Sequence, residues 1–159
     1  MFKILKKTSV LVFISLLFAT SVTFAAEKTL KIGTDCAFPP FEFFDEKRQP
    51  VGFDVDLIKA MAKVAGYQPD IQVMDFNALI PRVRTKILDC AIAGFSITKE
   101  RKGYISFSKP YFKTNKGEKY GIVVGQENPE LLEELNRALV ILRKNGTYDE
   151  IVSKWFKNR

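Results

Sequence analysis

An α/β fold built on a largely parallel, five-stranded central sheet flanked by helices is what this chain of 159 residues predicts. Two observations carry the prediction. Short apolar runs of strand type alternate with segments of helical spacing, and the first strand runs end at loop-forming residues. A hydrophobic content of 47% is ordinary for a globular protein, and residues 26–159 amount to one domain's worth of chain, enough for one core.

Residues 30–34 alternate as a strand and stop at Asp35, after which Pro39 and Pro40 bar continuation of either a helix or a ladder. A loop therefore opens at the strand's carboxyl end. Residues 53–65 carry Val55, Ile58, Met61, Ala62 and Ala65 at helical spacing, with Asp54 as the expected cap and Gly66 as the stop. Ile71 and Val73 mark a second strand, leading past Phe76 into a helix over residues 77–86. Residues 90–93 form a short buried-type strand, and Thr98 caps the next helical turn. Residues 105–111 and 120–124 read as two more extended segments. Beyond Pro129 come helices over 131–144, closed by Asn145 and Gly146, and over 147–156.

The N-terminus reads as an export signal over residues 1–25, with Lys3, Lys6 and Lys7, an apolar run over 10–19, and small residues Thr23 and Ala25 before a cleavage point. The run is shorter than the roughly 20 residues of a membrane span, and no cysteine stands at the cleavage point to carry a lipid. The expected location is periplasmic. Of the formal charge of +7, the three leader lysines leave +4 on residues 26–159. The basic residues are dispersed among acidic ones, which is a solvated surface and not a nucleic-acid footprint. With no histidine and two cysteines, neither a metal site of zinc type nor a histidine-based catalytic constellation is expected. Cys36 and Cys90 belong to different strand regions, one at an exit and one at an entry, and read as two separate thiols.

Five stretches, KIGTDCAFPPFEF (31–43), VGFDVDLIKAMAK (51–63), MDFNALIPRV (74–83), AIAGFSITKER (91–101) and NGTYDEIVSKWF (145–156), occur in an order that carries a family likeness. Together they resemble the polar amino acid-binding periplasmic receptors of ABC importers, the type II periplasmic binding proteins. In that family two lobes close over one amino acid. Here SKPYF (108–112) runs into KYGIVV (119–124) across a few polar residues. The resemblance implies that these are the hinge strands and that the loop 113–118 stands where a second lobe would be. The expected domain is thus a single solute-binding lobe over 26–159.

In open α/β sheets, ligands collect beyond the carboxyl ends of the strands, where Asp35, Phe38, Phe76 and the segment 94–101 fall. A planar guanidinium at Arg101 can meet a carboxylate through two parallel charge-assisted hydrogen bonds, and a helix start near residues 96–98 offers unpaired amides. By resemblance, Arg101 and Ser96 match the family's carboxylate-binding arginine and the hydroxyl residue before it. Gly94 matches a carbonyl that accepts the ligand's ammonium, Phe38 and Phe76 the aromatic residues that sandwich its side chain, and Asp35 the carboxylate that reaches a polar or basic side-chain end. Cys36 departs from the small or hydroxylated residue expected beside Asp35. The blander readings are a surface arginine in a charged turn with Lys99, Glu100 and Lys102, core phenylalanines, a strand-end glycine and a loop-capping aspartate.

The implied function is the extracytoplasmic substrate-binding component of an amino acid ABC transporter. Its ligand would be glutamine, arginine, lysine or histidine, its partners the permease subunits, and it would need no cofactor. The second lobe's contacts have no equivalent, so a millimolar affinity, near −4 kcal/mol, is expected of an isolated monomer. Face-to-face pairing of two copies, a weak homodimer, would restore a closed cleft. Two other classes compete: a ligand-free module that docks on a permease or on itself, and a dehydratase of the same fold acting on prephenate or arogenate, which would need a general acid and base lining the cleft.

Overall fold

The computed structural model describes residues 28–156; the segment 1–25, read as an export signal, lies outside them. Among the described residues no helix is long and apolar enough to cross a membrane. The chain opens with β1 (Lys28–Thr34), β2 (Ala37–Phe38), β3 (Glu42–Phe44), β4 (Pro50–Val51) and α1 (Phe53–Val64). Then come β5 (Tyr67–Val73), α2 (Phe76–Arg84), β6 (Cys90–Ala91), a turn of 3-10 helix (Arg101–Gly103) and β7 (Ser106–Phe107). The last elements are β8 (Phe112–Lys113), β9 (Lys119–Tyr120), β10 (Val123–Val124), α3 (Pro129–Lys144) and α4 (Thr147–Trp155).

The main sheet has five strands in the order β5-β1-β6-β10-β7. β1 pairs in parallel with both β5 and β6, whereas β10 pairs antiparallel with β6 and β7. The sheet is therefore mixed, with β10 the one reversed strand. Its reversal follows from its connection: the parallel strands are joined through helices, but β7 reaches β10 through the tight β8–β9 hairpin, and only an antiparallel pair can be closed by so short a return. Of the two extended segments expected, 105–111 holds only β7, with β8 beginning beyond Pro110, and 120–124 is split between β9 and β10 at Gly121, whose amide donates to the Phe95 carbonyl at 3.0 Å.

Alternation along the strands sends side chains to two cores. Leu30, Ile32, Cys90, Ile92 and Val124 pack with Leu57, Ile58 and Met61 of α1, Leu135 and Leu139 of α3, and Ile151 of α4. Ala91, Ala93 and Val123 point the other way, against Leu79 and Val83 of α2, with Phe95 and Ile105. The result is a helix–sheet–helix sandwich whose strand exits stay open.

Helix ends follow local chemistry. Asp75 caps α2 by accepting the Asn77 amide at 2.8 Å, and Asn128 caps α3 by accepting the Leu131 amide at 3.2 Å, with Pro129 in the first turn. Thr98 does cap the turn that follows it, through the Arg101 amide at 3.2 Å, although the turn is 3-10. Asp54 corrects the reading of it as a cap. The residue before α1 is Gly52, at φ 131°, where a Cβ would stand 2.1 Å from the Phe41 carbonyl oxygen. Asp54 instead sits inside the first turn with its side chain fully buried.

Candidate ligand-binding site

The residues singled out in the sequence leave the carboxyl ends of β1, β5 and β6, and most of them form one chain of contacts. Phe38 stands 43% exposed, which is far from core behaviour. Its ring lies flat on Phe41 at 5.1 Å between centroids and meets Tyr120 edge-on at 6.5 Å. Beneath Phe41 the aromatic packing continues through Phe53, Phe112 and Phe156, so the exposed ring rests on a rigid floor.

Gly94 adjoins Phe38. Its φ of +54° lies in the left-handed region, and a Cβ there would come within 3.1 Å of the Phe38 ring. Both the conformation and the space call for glycine. Two residues on, Ser96 bridges to Tyr120 in antiparallel fashion, and its carbonyl accepts a hydrogen bond from Nη1 of Arg101 at 3.0 Å. That bond ties the guanidinium to the strand exit and engages one of its five donors. The guanidinium also lies over the Phe95 ring at 5.8 Å, and Phe95 stacks on half-buried Phe76 at 4.8 Å. Phe38 thus packs on Gly94, Ser96 holds Arg101, and Arg101 and Phe76 both meet the buried ring of Phe95 at the strand exits.

Asp35 belongs to a second group. Its Oδ1 is buried and meets no donor among the described residues, and burial raises its carboxyl above the ordinary aspartate value. Cys36 next to it is buried at φ 55°, so the unexpected residue packs inward and is not a wall of the open surface. Burial, then the charges of Asp35 and Glu42, pushes its thiol up to about 11. Cys90 is likewise buried and both cysteines are free, as their placement at a strand exit and a strand entry implied.

Sequence reasoning missed two acids. Glu42 is 1% exposed, and neither of its carboxyl oxygens meets a donor among the described residues. Asp54 is 0% exposed and accepts on Oδ2 from the Gly94 amide at 2.9 Å and from the Tyr111 hydroxyl at 2.6 Å. Glu42 lies within hydrogen-bond reach of both Asp54 and Asp35. Two carboxylates cannot hydrogen-bond unless one carries a proton, and burial followed by the Asp54 charge holds that proton on Glu42 well above the carboxylate range. Burial raises Asp54 too, to about 6, against the lowering effect of its bonds from Tyr111 and Gly94. A signal for Asp54 existed: it precedes Leu57, Ile58 and Met61 at helical spacing and so shares their buried face.

Residues 30–158 match the model of the bacterial extracellular solute-binding proteins, family 3. The chain belongs to that family. The arginine-binding extracellular protein ArtP of Bacillus subtilis is 43% identical over 91 residues, which cover 57% of this chain and 35% of the relative. A putative ABC transporter arginine-binding protein 2 of Escherichia coli is 30% identical over 127 residues, covering 80% and 50% respectively. The chain thus spans between 35% and 50% of the length of these curated relatives. Among solved structures, the Phe57Trp mutant of domain 1 of TmArgBP in its arginine-bound form superposes with a TM-score of 0.71 at 45% identity, over 73% of this chain and 92% of that one. These relatives are binding proteins, not enzymes.

Proposed function

We propose that this family member is a one-lobe, extracytoplasmic amino acid receptor of an ABC importer, and that its ligand is a cationic amino acid, arginine foremost. The observation that carries the reading is the run of contacts at the strand exits, Phe38 on Gly94, Arg101 on the Ser96 carbonyl, and Arg101 and Phe76 on the Phe95 ring, with the acid Asp35 directly after β1. Arg101 would meet the ligand carboxylate, the Gly94 carbonyl its ammonium, the two phenylalanines its side-chain stem, and Asp35 its distal cation.

Two further findings support it. The relatives above carry arginine in their names, and one of them is a separate domain in arginine-bound form. The loop 113–118 is also a well-made hairpin turn. The Thr114 amide donates to the Glu118 carbonyl at 2.9 Å, the Gly117 amide to the Thr114 carbonyl at 3.0 Å, and the Glu118 amide to Thr114 Oγ1 at 3.0 Å. In this reading the hairpin joins two hinge segments directly, in place of a second lobe.

A calorimetric titration of residues 26–159 with arginine, lysine, histidine and glutamine, and with Arg101→Ala as control, tests it. Arginine should bind at about millimolar strength, because an ion pair left in high dielectric contributes only about 0–1 kcal/mol, and the control should give no heat. Sub-micromolar binding overturns the one-lobe account unless light scattering finds a dimer. No heat from any of the four overturns the receptor reading and leaves docking on a permease without ligand.

A further inference from the structure

The buried acids beneath the surface are not accounted for by ligand contact. We propose that Asp54 is a positioning residue for ligand capture, holding the Gly94 turn against Phe38 through the Gly94 amide. The inference rests on the functional reading above, since it is there that the Gly94 carbonyl receives the ligand's ammonium.

The geometry points one way. Gly94 has a left-handed φ, which glycine adopts without strain, and a ring packed against it, so where the turn sits depends on what holds it. The Gly94 amide itself is held by a carboxylate oxygen, Oδ2 of Asp54, at 2.9 Å, while Phe95 and Ser96 after it are held by backbone pairing to Gly121 and Tyr120. The same oxygen takes the Tyr111 hydroxyl at 2.6 Å, and the Tyr111 amide in turn donates to the Tyr120 carbonyl at 3.0 Å in the β8–β9 hairpin. Asp54 therefore joins the β6 exit, which carries the site, to the hairpin that backs Phe38. Hydrogen bonds to an ionised acceptor are about twice as strong as neutral ones, so the turn is tightest when Asp54 is charged. Its position in the first turn of α1 favours that charge.

The groups that face Asp54 are the Gly94 amide from the β6 exit, Tyr111 before β8, Glu42 of β3 and Asp35 after β1. Glu42 has no donor of its own. Protonated, it becomes one, toward Asp54 or Asp35, and the cluster loses a charge that burial would otherwise make very costly.

The experiment follows the Gly94 amide and the Asp54 carboxyl carbon by NMR as pH is varied, in the unaltered chain and in Asp54→Asn and Tyr111→Phe. Both signals should share one midpoint near 6. Tyr111→Phe should move that midpoint upward, because a bond that favours the charged form is lost, and Asp54→Asn should abolish it at Gly94. Arginine titrations of the same proteins should show affinity falling as pH drops through that midpoint. Asp54→Asn should bind about ten-fold more weakly with no such step. A Gly94 amide that does not follow Asp54, or an Asp54→Asn chain that binds arginine as well as the parent, overturns the positioning role alone. Absence of binding in the parent overturns it together with the functional reading. Should Asp54→Asn fail to fold, the shared midpoint and its shift in Tyr111→Phe decide the matter.

Discussion

The two halves of the central sheet differ in direction and in what they contribute to the proposed site. The parallel half, β5, β1 and β6, releases three loops at one end, and from them come Asp35, Phe38, Phe76, Gly94, Ser96 and Arg101. The antiparallel half, β10 and β7 with the β8–β9 hairpin, supplies none of these. It supplies the backing: Tyr120 behind Phe38, the Ser96–Tyr120 bridge, and Tyr111 on Asp54. Parallel strands place their loops on one edge, where diverse side chains converge, whereas a hairpin returns at once and is better suited to hold than to bind. Asp54 bonds to both halves, to the Gly94 amide and to the Tyr111 hydroxyl, with Glu42 beside it, and this junction is where the comparison breaks most readily.

The largest expected effect is there. Unfolded, Glu42 ionises at an ordinary carboxylate pKa of about 4.3; folded, burial keeps its proton on. Folding thus takes up a proton, so stability is greatest in acid and declines as pH rises, by about 1.4 kcal/mol per pH unit. Asp54, raised to about 6, adds a loss of the same sign that is complete once pH passes that value. The chain has no histidine, so Glu42 is left to govern the neutral range. Between about pH 6.5 and 8.5 the parent should lose about 3 kcal/mol in urea melts, while Glu42→Gln should lose at most about 1 kcal/mol, near the top of the range, where the buried Cys36 and Cys90 thiols begin to ionise in the unfolded chain only. An undiminished slope in the variant would place the proton elsewhere.

An effect of about equal size, but without pH dependence, belongs to the parallel half. Leu57 of α1 is fully buried against the sheet, and Leu57→Ala should cost about 3 kcal/mol at any pH. A pH-dependent loss would mean that α1 shifts enough to disturb Asp54 three residues before it. Next comes Gly94→Ala, which forces a side chain into a left-handed backbone and toward the Phe38 ring. Its cost should be about 1–2 kcal/mol in stability, together with loss of the arginine heat. Retained binding would remove Gly94 from the site.

The difference between the halves also separates what was legible in the sequence from what was not. The strand–helix order, the strand exits and the residues on them could be read because each depends on local pattern: apolar periodicity, Pro39 and Pro40 stopping a strand, an arginine in AIAGFSITKER. The reversal of β10 could not, because direction depends on how far a connection reaches, and residues 105–124 read as two plain extended runs. Asp54 was misread for a related reason. An aspartate at the start of a helical run satisfies the pattern of a cap; its spacing to Leu57, Ile58 and Met61 places it on the buried face, but what it does there depends on Gly94 forty residues on and Tyr111 fifty-seven on. Glu42, flanked by Phe41 and Phe43, gave no local sign that its carboxyl would be enclosed with two others.

The smallest expected effect tests whether the hairpin only holds. Gly117 has φ 88° with nothing within 4 Å of where a Cβ would stand, so Gly117→Ala meets backbone strain and no clash. The cost should be about 1 kcal/mol, seen as a lowered melting temperature. The turn lies beyond β8 and β9, and the strain should be absorbed in the loop before it reaches Tyr120, whose carbonyl already holds the Tyr111 amide at 3.0 Å. Arginine affinity and the shared midpoint of Gly94 and Asp54 should therefore be unchanged in Gly117→Ala. A weakened affinity would mean that the hairpin's closure is transmitted through Tyr120 to Phe38, and that the antiparallel half takes part in binding.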